Sequence, residues 1–314
     1  MDNHLKIFSG SSNLALAKEI CDHVDVNPGK LAIHRFSNEN ITVQIEENVR
    51  GDDVYIVQTS CPPVNDNLVE LLIIIDALKY ASAGRITAVL PYYPYVRSDK
   101  KDKPRISITA RLVADLLETA GADRILTMTL HAPQIVGFSR IPVDQLLATP
   151  LIADYFSRRD LTDYIVVAPD VGSAKKAEVY ARRLDLPMAI IDKRRYADDE
   201  KAVAKYMFGD VEGKNALLFD DEILSGGTML QAIHIIREHG ARRVFAGCAH
   251  AIFSGQAIPR IIESPIEEFV TTNTIPHAPE RLGSKFTILS VAKMFGDAIK
   301  AIHQGDSVSK LFND

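Results

Sequence analysis

The chain has 314 residues, is 46% hydrophobic and carries a formal net charge of −5. This length is enough for two domains with substantial cores. The negative charge argues against nucleic acid as the main partner, and the longest apolar runs are too short to cross a bilayer. The N-terminus lacks signal-peptide features, and Cys21, Cys61 and Cys248 lie far apart without metal-binding spacing. We therefore expect a cytoplasmic protein that binds neither nucleic acid nor membrane.

Short β-rich runs alternate with helical stretches along the chain. Residues 53–59 are typical of a strand, 67–84 of a helix that ends at glycine, and 85–90 of another strand. The stretches 119–130 and 238–248 repeat this punctuation, because each passes from a helix end through a glycine to a strand. Such alternation favours parallel sheets with helices on both faces. The sequence thus predicts an α/β protein.

The alternation falls into two blocks, which we interpret as two domains. The first covers residues 1–148. The second, 149–314, begins at a predicted helix over 149–159, in which Pro150 suits the first turn. In sheets of this kind, functional loops follow the carboxyl ends of the strands.

The stretch LLFDDEILSGGTML, residues 217–230, combines a strand, two adjacent acids and a glycine-rich turn. We expect the strand to end at Asp220–Asp221 and a helix to begin at Thr228. Backbone N–H groups at a helix N-terminus bind anions, and glycines allow a ligand to approach the backbone closely. A phosphate group is therefore the expected ligand of this turn.

The two carboxylates beside that turn have three readings. Like charges repel, so the acids do not contact the phosphate itself. They accept hydrogen bonds from sugar hydroxyls, or they hold Mg²⁺ through water. Either role suits a sugar phosphate. In the third reading the acids are solvated at the sheet edge, and the turn only begins a helix.

Four other features fall in predicted loops, and the chain has no Walker motif and no dinucleotide-binding glycine motif. Residues 95–105 hold five cations and two acids, a local charge of +3, which suits a polyphosphate clamp or a mobile surface loop. His131 follows a strand, as a metal ligand, a contact residue or a structural residue. Asp170 precedes a Gly-Ser helix start, where turn or cap residues are common. The cations of 191–196, taken alone, are typical of a solvated charge run.

Together, these pieces resemble the ribose-phosphate pyrophosphokinase (phosphoribosyl diphosphate synthetase) family. The similarity runs nearly end to end through GSSNLALA, NVRGDDVYIVQT, NDNLVELL, LHAPQIVGF, PDVGSAKKA, DKRR, FSG, TNTIP and GDSVSKLF. The turn at 224–228 resembles the family's phosphoribosyl diphosphate motif. The resemblance implies two similar phosphoribosyltransferase-like domains with mainly parallel sheets flanked by helices, the last residues packing back on the first domain.

The resemblance also implies a reaction. The 1-hydroxyl of ribose 5-phosphate attacks the β-phosphorus of Mg·ATP, which gives phosphoribosyl diphosphate and AMP for nucleotide biosynthesis. It further implies Mg²⁺ as the cofactor, and a cytoplasmic homohexamer in which neighbouring subunits share ATP.

Residue roles follow by position from the same resemblance. Lys193 and Arg195 are expected to be catalytic, and His131 and Asp170 to bind the metal ion. ATP is expected to contact Phe36, Asn38, Glu39, Asn40, Arg97 and Ser98. Ribose 5-phosphate is expected to contact Arg195, Asp220, Asp221, Leu224, Ser225, Gly226, Gly227 and Thr228.

The chain departs from the family pattern at several positions. Leu224 stands where an acid is common, but only its backbone N–H is needed there. Thr129 and Arg140 stand where the family has acids linked with metal or regulation, which weakens the expectation of a second cation site. Asn40 replaces a usual glutamate in the segment that contacts adenine.

Two rival functions remain open to comparison. A phosphoribosyltransferase uses the same acid–glycine turn, but it would lack the basic loops at 97–105 and 193–195 and the N-terminal half. A non-catalytic regulatory relative is the second rival, and the retained His131, Asp170 and basic residues 193 and 195 argue against it.

Overall fold

The structure, a computed structural model, describes residues 4–195 and 203–309, without the side chains of residues 193–195, 203–205 and 279. The chain divides into two compact units. Unit 1 comprises Met1–Leu147, Thr274–Pro276 and Ser290–Asp314, and unit 2 comprises Ala148–Asn273 and His277–Leu289. The C-terminal segment thus belongs to the same unit as the N-terminal half.

Unit 1 is built around a parallel sheet. Its elements in chain order are β1 (Leu5–Ser9), α1 (Leu14–Val24), β2 (Leu31–Arg35), β3 (Ile41–Ile45), β4 (Asp53–Val57), α2 (Val64–Tyr80), β5 (Arg85–Leu90), α3 (Thr109–Ala120), β6 (Arg124–Met128) and β7 (Val143–Leu146). The sheet order is β1-β4-β5-β6-β7, and every neighbouring pair is parallel. All five residues of β4 are buried, as expected for a central strand covered on both faces.

Unit 2 contains a larger sheet of order β10-β9-β8-β11-β12-β13-β14. All neighbours are parallel except the antiparallel pair β9 and β10. Its elements are α4 (Thr149–Ser157), β8 (Tyr164–Ala168), α5 (Ala174–Leu184), β9 (Met188–Arg195), β10 (Val203–Phe208), β11 (Asn215–Ile223), α6 (Gly227–Glu238), β12 (Arg243–Ala251), α7 (Ala257–Glu263), β13 (Glu268–Thr272), α8 (Pro279–Leu282) and β14 (Phe286–Leu289). The final helix, α9 (Ala292–Gln304), belongs to unit 1.

The predicted α/β class with mainly parallel sheets is confirmed, and the strand predicted over 85–90 is β5. Three boundaries were wrong. The helix predicted over 67–84 is α2, which begins at Val64 and ends at Tyr80, so Gly84 does not end it. β11 does not end at the acid pair but continues to Ile223, because β12 is long enough to pair with it up to Ala251. Lys193 and Arg195 do not follow a strand but lie within β9, whose backbone pairs with β10 up to Arg195 and Val203.

Apolar packing holds the helices of unit 2 against its sheet. Met229, Ile233 and Ile236 are spaced i, i+4 and i+7, and all three are buried on α6. On α5, the ring of Tyr180 stacks on Phe219 of β11, with ring centroids 3.8 Å apart and planes at 13°. This contact fixes α5 against the strand that carries the acid pair. No helix within residues 4–195 and 203–309 is both long and apolar enough to cross a membrane.

A separate antiparallel hairpin in unit 1 is formed by β2 and β3, with Arg35 paired to Ile41 at its tip. Its side chains alternate between half-buried and exposed, so one face packs and the other faces solvent. The turn between the strands, residues 36–40, is fully on the surface. The hairpin therefore presents its turn to any ligand that approaches unit 1.

A buried ionic cluster attaches α9 to the sheet of unit 1. Asp53 of β4 is fully buried, and its Oδ1 accepts a hydrogen bond of 2.7 Å from Arg85 Nε. Its Oδ2 lies 2.8 Å from Nδ1 of His303 on α9, and Arg85 also donates to the carbonyl oxygen of Ile302 at 3.1 Å. Burial alone would raise the pKa of Asp53, but hydrogen bonds from Arg85, His303 and Tyr55 outweigh it and hold that pKa below its usual range.

We predict that Asp53→Asn destabilises the protein by about 3 kcal/mol at pH 7, because Arg85 then lacks its buried counter-charge. A carboxyl with a lowered folded pKa stabilises above its unfolded pKa, near 4, and this contribution is lost as pH falls through the folded pKa. The difference in the free energy of unfolding between wild type and Asp53→Asn should therefore be smaller at pH 3.5. Urea denaturation at both pH values measures this difference. Asp22→Asn, which removes an exposed partner of Lys18, is the control and should behave as wild type. An equal, small effect of both substitutions would contradict the anchoring role.

Candidate active site

The turn between β11 and α6 has the geometry of an anion site. Gly226 adopts a φ of 72°, in the left-handed region that glycine enters without strain, and it precedes the first residue of α6. The helix begins without a side-chain cap. Its first N–H groups are therefore satisfied by solvent or by an anion, and the helix dipole favours the anion. The side chains of Ser225 and Thr228 are exposed beside this turn.

The start of the turn is fixed by the strand next to β11. The carbonyl oxygen of Ile223 accepts hydrogen bonds from the N–H groups of Ile252 and Phe253, at 2.9 and 3.2 Å. The carbonyl oxygen of Leu224 accepts one from the N–H of Ser254 at 2.9 Å. These carbonyl groups are held towards the end of β12. A turn with fixed carbonyls is preorganised for an anion, because little conformational entropy is lost on binding.

The acid pair lies just before the turn, and its two members have different surroundings. Asp221 is buried, with its Oδ1 2.6 Å from the Nζ of Lys176 on α5. Asp220 is partly exposed, and its Oδ1 accepts a hydrogen bond of 2.8 Å from the backbone N–H of Asp221. The reading in which both acids are simply solvated at the sheet edge is therefore wrong for Asp221. Sequence reasoning missed Lys176, because no local pattern links it to the acids.

The pKa of Asp220 differs from that of an ordinary carboxyl group. Burial, followed by the hydrogen bond and charge of Asp221, raises the pKa of Asp220 to about 8. Lys176 acts in the opposite direction on that pKa without outweighing these effects. A raised pKa favours the neutral form of Asp220, which lowers the repulsion of an anion in the neighbouring turn.

Asp170 occupies the predicted place after β8, at the start of the segment that leads into α5. Its Oδ1 accepts hydrogen bonds from both the N–H and the hydroxyl of Ser173, each 2.8 Å long. The structure thus shows the capping role that the sequence offered as the alternative to metal binding. Because Lys176 lies on the following helix, the loop of Asp170 and the acid pair belong to one part of unit 2.

In unit 1, the predicted ATP-contacting residues 36–40 form the tip of the β2–β3 hairpin. The N–H of Phe36 donates to the carbonyl oxygen of Asn40 at 2.8 Å, which closes the turn. Glu39 has a φ of 67°, a left-handed conformation that is uncommon outside glycine and asparagine. Phe36 is 48% exposed, and its ring meets His34 edge-on. An exposed aromatic ring on a closed turn suits stacking against a planar base.

The basic segment that contains Arg97 and Ser98 lines a cavity of about 360 Å³. Two hydrogen bonds attach Ser98 of this segment to α3. Its Oγ accepts one from the N–H of Thr109 at 3.1 Å, and its carbonyl oxygen accepts one from the N–H of Ala110 at 3.1 Å. The segment is thus attached at Ser98, while Arg97 and residues 100–105 are exposed. The cavity is lined by Tyr92, Tyr95, Val96, Arg97, Ser98, Lys100, Asp102 and Ile106.

The first turn of α2 connects the two predicted ATP segments. The hydroxyl of Tyr95, which precedes Arg97, donates to Asn65, and Arg35 at the end of β2 forms a 3.6 Å ion pair with Asp66. The ion pair is exposed and weak on its own. The hairpin turn and the basic segment thus lie on either side of one helix terminus. Asn65 and Asp66 were not singled out from the sequence.

The metal-binding expectation concerns His131 and Asp170. His131 is half-buried and lies two residues after Thr129, whose φ is 41°. Over the described part of the chain, no three His, Cys, Asp or Glu side chains cluster closely enough to hold a metal ion alone. Mg²⁺ is usually bound by one or two carboxylates together with substrate phosphates and water. Asp170 fits that ligand set, whereas an imidazole suits zinc or iron better than magnesium.

The catalytic prediction falls on Lys193 and Arg195. Their backbone belongs to β9 and pairs with β10, opposite Lys205 and Val203. Their side chains lie outside the described part of the structure, as do residues 196–202. Their roles therefore stay predictions.

Comparison with known proteins decides the family. Residues 5–121 match the N-terminal domain of ribose phosphate pyrophosphokinase, and residues 199–313 match the phosphoribosyl synthetase-associated domain. The chain belongs to the ribose-phosphate pyrophosphokinase family. The resemblance inferred from the sequence motifs is thereby confirmed.

Similarity to individual family members covers the whole chain. A ribose-phosphate pyrophosphokinase from Caldanaerobacter subterraneus is 50% identical over 99% of this chain and 98% of that protein. One from Oceanobacillus iheyensis is 48% identical over 99% and 98%. The crystal structure of phosphoribosylpyrophosphate synthetase from Mycobacterium smegmatis superimposes with a TM-score of 0.91 at 40% identity, covering 96% of this chain and 100% of that one.

The raised pKa of Asp220 predicts a pH-dependent stability. Between pH 4 and pH 8 the unfolded chain releases the Asp220 proton while the folded protein keeps it, so this group makes folding less favourable as pH rises through that window. Asp220→Asn removes the effect. We expect its melting temperature, relative to wild type, to be higher at pH 8 than at pH 5 by at least about 2 °C, the shift that 1 kcal/mol gives in a domain of this size. Thermal scans without phosphate or Mg²⁺ measure it, and a difference that does not vary with pH would refute the assigned pKa.

Proposed function

We propose that this chain transfers the β,γ-diphosphate of ATP to the 1-hydroxyl of ribose 5-phosphate, which gives 5-phosphoribosyl 1-diphosphate and AMP for nucleotide biosynthesis. Family membership over the full length supports the activity class, a ribose-phosphate diphosphokinase. The single structural observation that carries the proposal is the acid pair beside the uncapped N-terminus of α6 in unit 2. That arrangement matches both ends of a sugar phosphate.

Ribose 5-phosphate is assigned to unit 2. Its 5-phosphate accepts hydrogen bonds from the backbone N–H groups of residues 224–228, with the hydroxyls of Ser225 and Thr228 as further donors. The vicinal hydroxyls of the sugar donate to Asp220 and Asp221. Of the two roles left open for these acids, we favour sugar recognition, because an acid with a raised pKa, such as Asp220, is a weaker cation ligand than an ordinary carboxylate.

ATP is assigned to unit 1. Phe36 stacks on the adenine ring from the hairpin tip, and Asn38, Glu39 and Asn40 supply polar contacts around the base and ribose. Arg97 and Ser98 contact the phosphates from the basic segment, where an arginine offers two parallel donors to phosphate oxygens. The cavity beside this segment and its net positive charge support that assignment.

Magnesium is the proposed cofactor. Asp170 is assigned to it on the chemistry of its carboxylate, and His131 on the family resemblance alone. When bound, Mg²⁺ neutralises phosphate charge and orients the triphosphate. The Asp170 carboxylate would suit this ion, whose other ligands would be water and phosphate oxygens. Because Asp170 already caps the turn at Ser173, its orientation is fixed before any ion binds.

The chemical step needs positioning more than covalent help from the protein. The 1-hydroxyl oxygen forms a bond to the β-phosphorus while the bond from that phosphorus to the bridging oxygen of the α-phosphate breaks. AMP leaves with the bridging oxygen, and the hydroxyl proton is released. Negative charge shifts towards the leaving phosphate, so cations held at that place lower the barrier. We assign this role to Lys193 and Arg195.

Two rivals are tested by one assay. A phosphoribosyltransferase consumes phosphoribosyl diphosphate and forms no AMP from ATP and ribose 5-phosphate. A regulatory relative binds ligands without turnover. Release of AMP that requires ATP, Mg²⁺ and ribose 5-phosphate together supports the proposal. If no AMP is released when both substrates and Mg²⁺ are saturating, the proposal is overturned. A homohexameric assembly and a cytoplasmic location stay predictions.

We predict that Lys193→Ala and Arg195→Ala each lower kcat by roughly 10²–10⁴, with only modest changes in KM, because these charges matter most as the diphosphate moves. Steady-state AMP release at varied ATP and ribose 5-phosphate measures both constants. Arg182→Ala is the matched control, since Arg182 is 77% exposed on α5 and pairs with Glu178. If either variant keeps a kcat near wild type, these residues do not stabilise the transferring group.

The hairpin tip generates a prediction about the base. A carboxylate only accepts hydrogen bonds, so glutamate at position 40 would favour the amino group of adenine and repel the O6 of guanine, whereas the Asn40 amide tolerates both. Asn40→Glu should raise the ATP/GTP ratio of kcat/KM on the order of tenfold, the equivalent of about 1–3 kcal/mol. Thr42→Glu, at an exposed position of β3, adds the same charge to the same hairpin as a control. An unchanged ratio in Asn40→Glu would show that position 40 does not read the base.

A further inference from the structure

Lys176 forms an ion pair with Asp221, the buried member of the acid pair. Its Nζ lies 2.6 Å from Oδ1 of Asp221; the Asp221 side chain is only 5% exposed, and that of Lys176 is 42% exposed. One turn further along α5, Tyr180 stacks on Phe219, which directly precedes the acid pair on β11. The helix is therefore fixed at the point from which Lys176 reaches Asp221.

A buried carboxylate keeps its charge only with a partner. Without one, burial favours the neutral form, as the raised pKa of neighbouring Asp220 illustrates. Lys176 contacts Asp221, and its ammonium group favours the charged form of that carboxylate. A charged carboxylate is a stronger hydrogen-bond acceptor for a ligand hydroxyl than a neutral carboxyl group.

The contact also constrains orientation. With Oδ1 held by the ammonium group of Lys176, the Asp221 carboxylate cannot rotate without losing a charge-assisted hydrogen bond. Its backbone N–H is fixed as well, because it donates to Asp220 Oδ1 at 2.8 Å. Both acids are thus locked relative to the phosphate-binding turn. A preorganised acceptor loses less entropy when a ligand hydroxyl binds.

We propose that Lys176 is a positioning residue for ribose 5-phosphate that acts through Asp221. It keeps the Asp221 carboxylate charged and in one orientation, so that the sugar hydroxyls meet a fixed acceptor. This inference rests on the proposed function, because it assigns the sugar to the acid pair. Lys176 also differs from its neighbour Lys175, which is exposed on the same helix and forms no ion pair with any described side chain.

The test is calorimetric titration of the full chain with ribose 5-phosphate, and separately with ATP. Lys176→Met should weaken ribose 5-phosphate binding on the order of tenfold, as expected for the loss of a charge-assisted contact, and change the dissociation constant for ATP less than about twofold. Lys176→Arg keeps the charge and should stay within about threefold of wild type for both ligands. Lys175→Met is the matched control and should bind both as wild type does.

A double-substitution cycle separates positioning from a general structural role. If Lys176 acts through Asp221, the variant carrying Lys176→Met and Asp221→Asn should bind ribose 5-phosphate no more weakly than Asp221→Asn alone. The double variant has no carboxylate at position 221 that lacks a counter-charge, so it should fold more readily than Lys176→Met. ATP binding shows whether unit 1 is intact. Three results would each overturn the inference. The affinity losses of the two single variants multiply in the double variant, Lys176→Met weakens the binding of both ligands equally, or Lys176→Met weakens neither.

Failure of this inference is distinguishable from failure of the proposed function. If wild-type protein neither binds ribose 5-phosphate nor releases AMP, the proposed function itself is wrong. If wild type binds and turns over ribose 5-phosphate while Lys176→Met behaves identically, only the role of Lys176 is wrong.

Discussion

Much of this molecule follows from one constraint, which is that two adjacent acids, Asp220 and the buried Asp221, lie within the parallel strand β11 near its carboxyl end. Asp221 is tolerated there because Lys176 supplies a counter-charge at 2.6 Å. That contact requires α5 to lie close to β11, and the stacking of Tyr180 on Phe219 holds it there. A few residues beyond the acids, Gly226 allows the chain to turn into α6, so the uncapped start of that helix follows the acid pair closely in the chain. The proposed recognition of a sugar phosphate is a consequence of this arrangement.

Unit 1 places its proposed ligand-binding residues by a different route. Its sheet contributes a rigid base, but the residues assigned to ATP lie on a hairpin tip and on a basic segment rather than on the strands. Both are tied down locally: Phe36 closes the hairpin turn with Asn40, and Ser98 bonds to the start of α3. Asn65 and Asp66 at the start of α2 contact both segments. Surface loops fixed at a few points in this way combine exposure with defined geometry.

Sequence reasoning succeeded where the signal is local. The alternation of strand and helix predicted the α/β class, the run at 85–90 predicted β5, and the glycine turn predicted the start of α6 to within one residue. It failed where the structure depends on contacts between parts of the chain that are distant in sequence. β11 continues past the acids only because β12 pairs with it, and Lys193 and Arg195 lie in β9 only because β10 does the same. Lys176 could not be found at all, since its role depends on a contact with a distant part of the chain.

The central claim is that the acid pair reads the sugar hydroxyls while the turn holds the phosphate. The most direct measurement compares the binding of ribose 5-phosphate and 2-deoxyribose 5-phosphate by calorimetry, in wild type and in a variant in which Asp220 and Asp221 are both asparagine. The account predicts that wild type prefers the ribose compound on the order of tenfold, the value of a charge-assisted hydrogen bond, and that most of this preference disappears in the variant. A preference of the same size in both proteins would contradict the account.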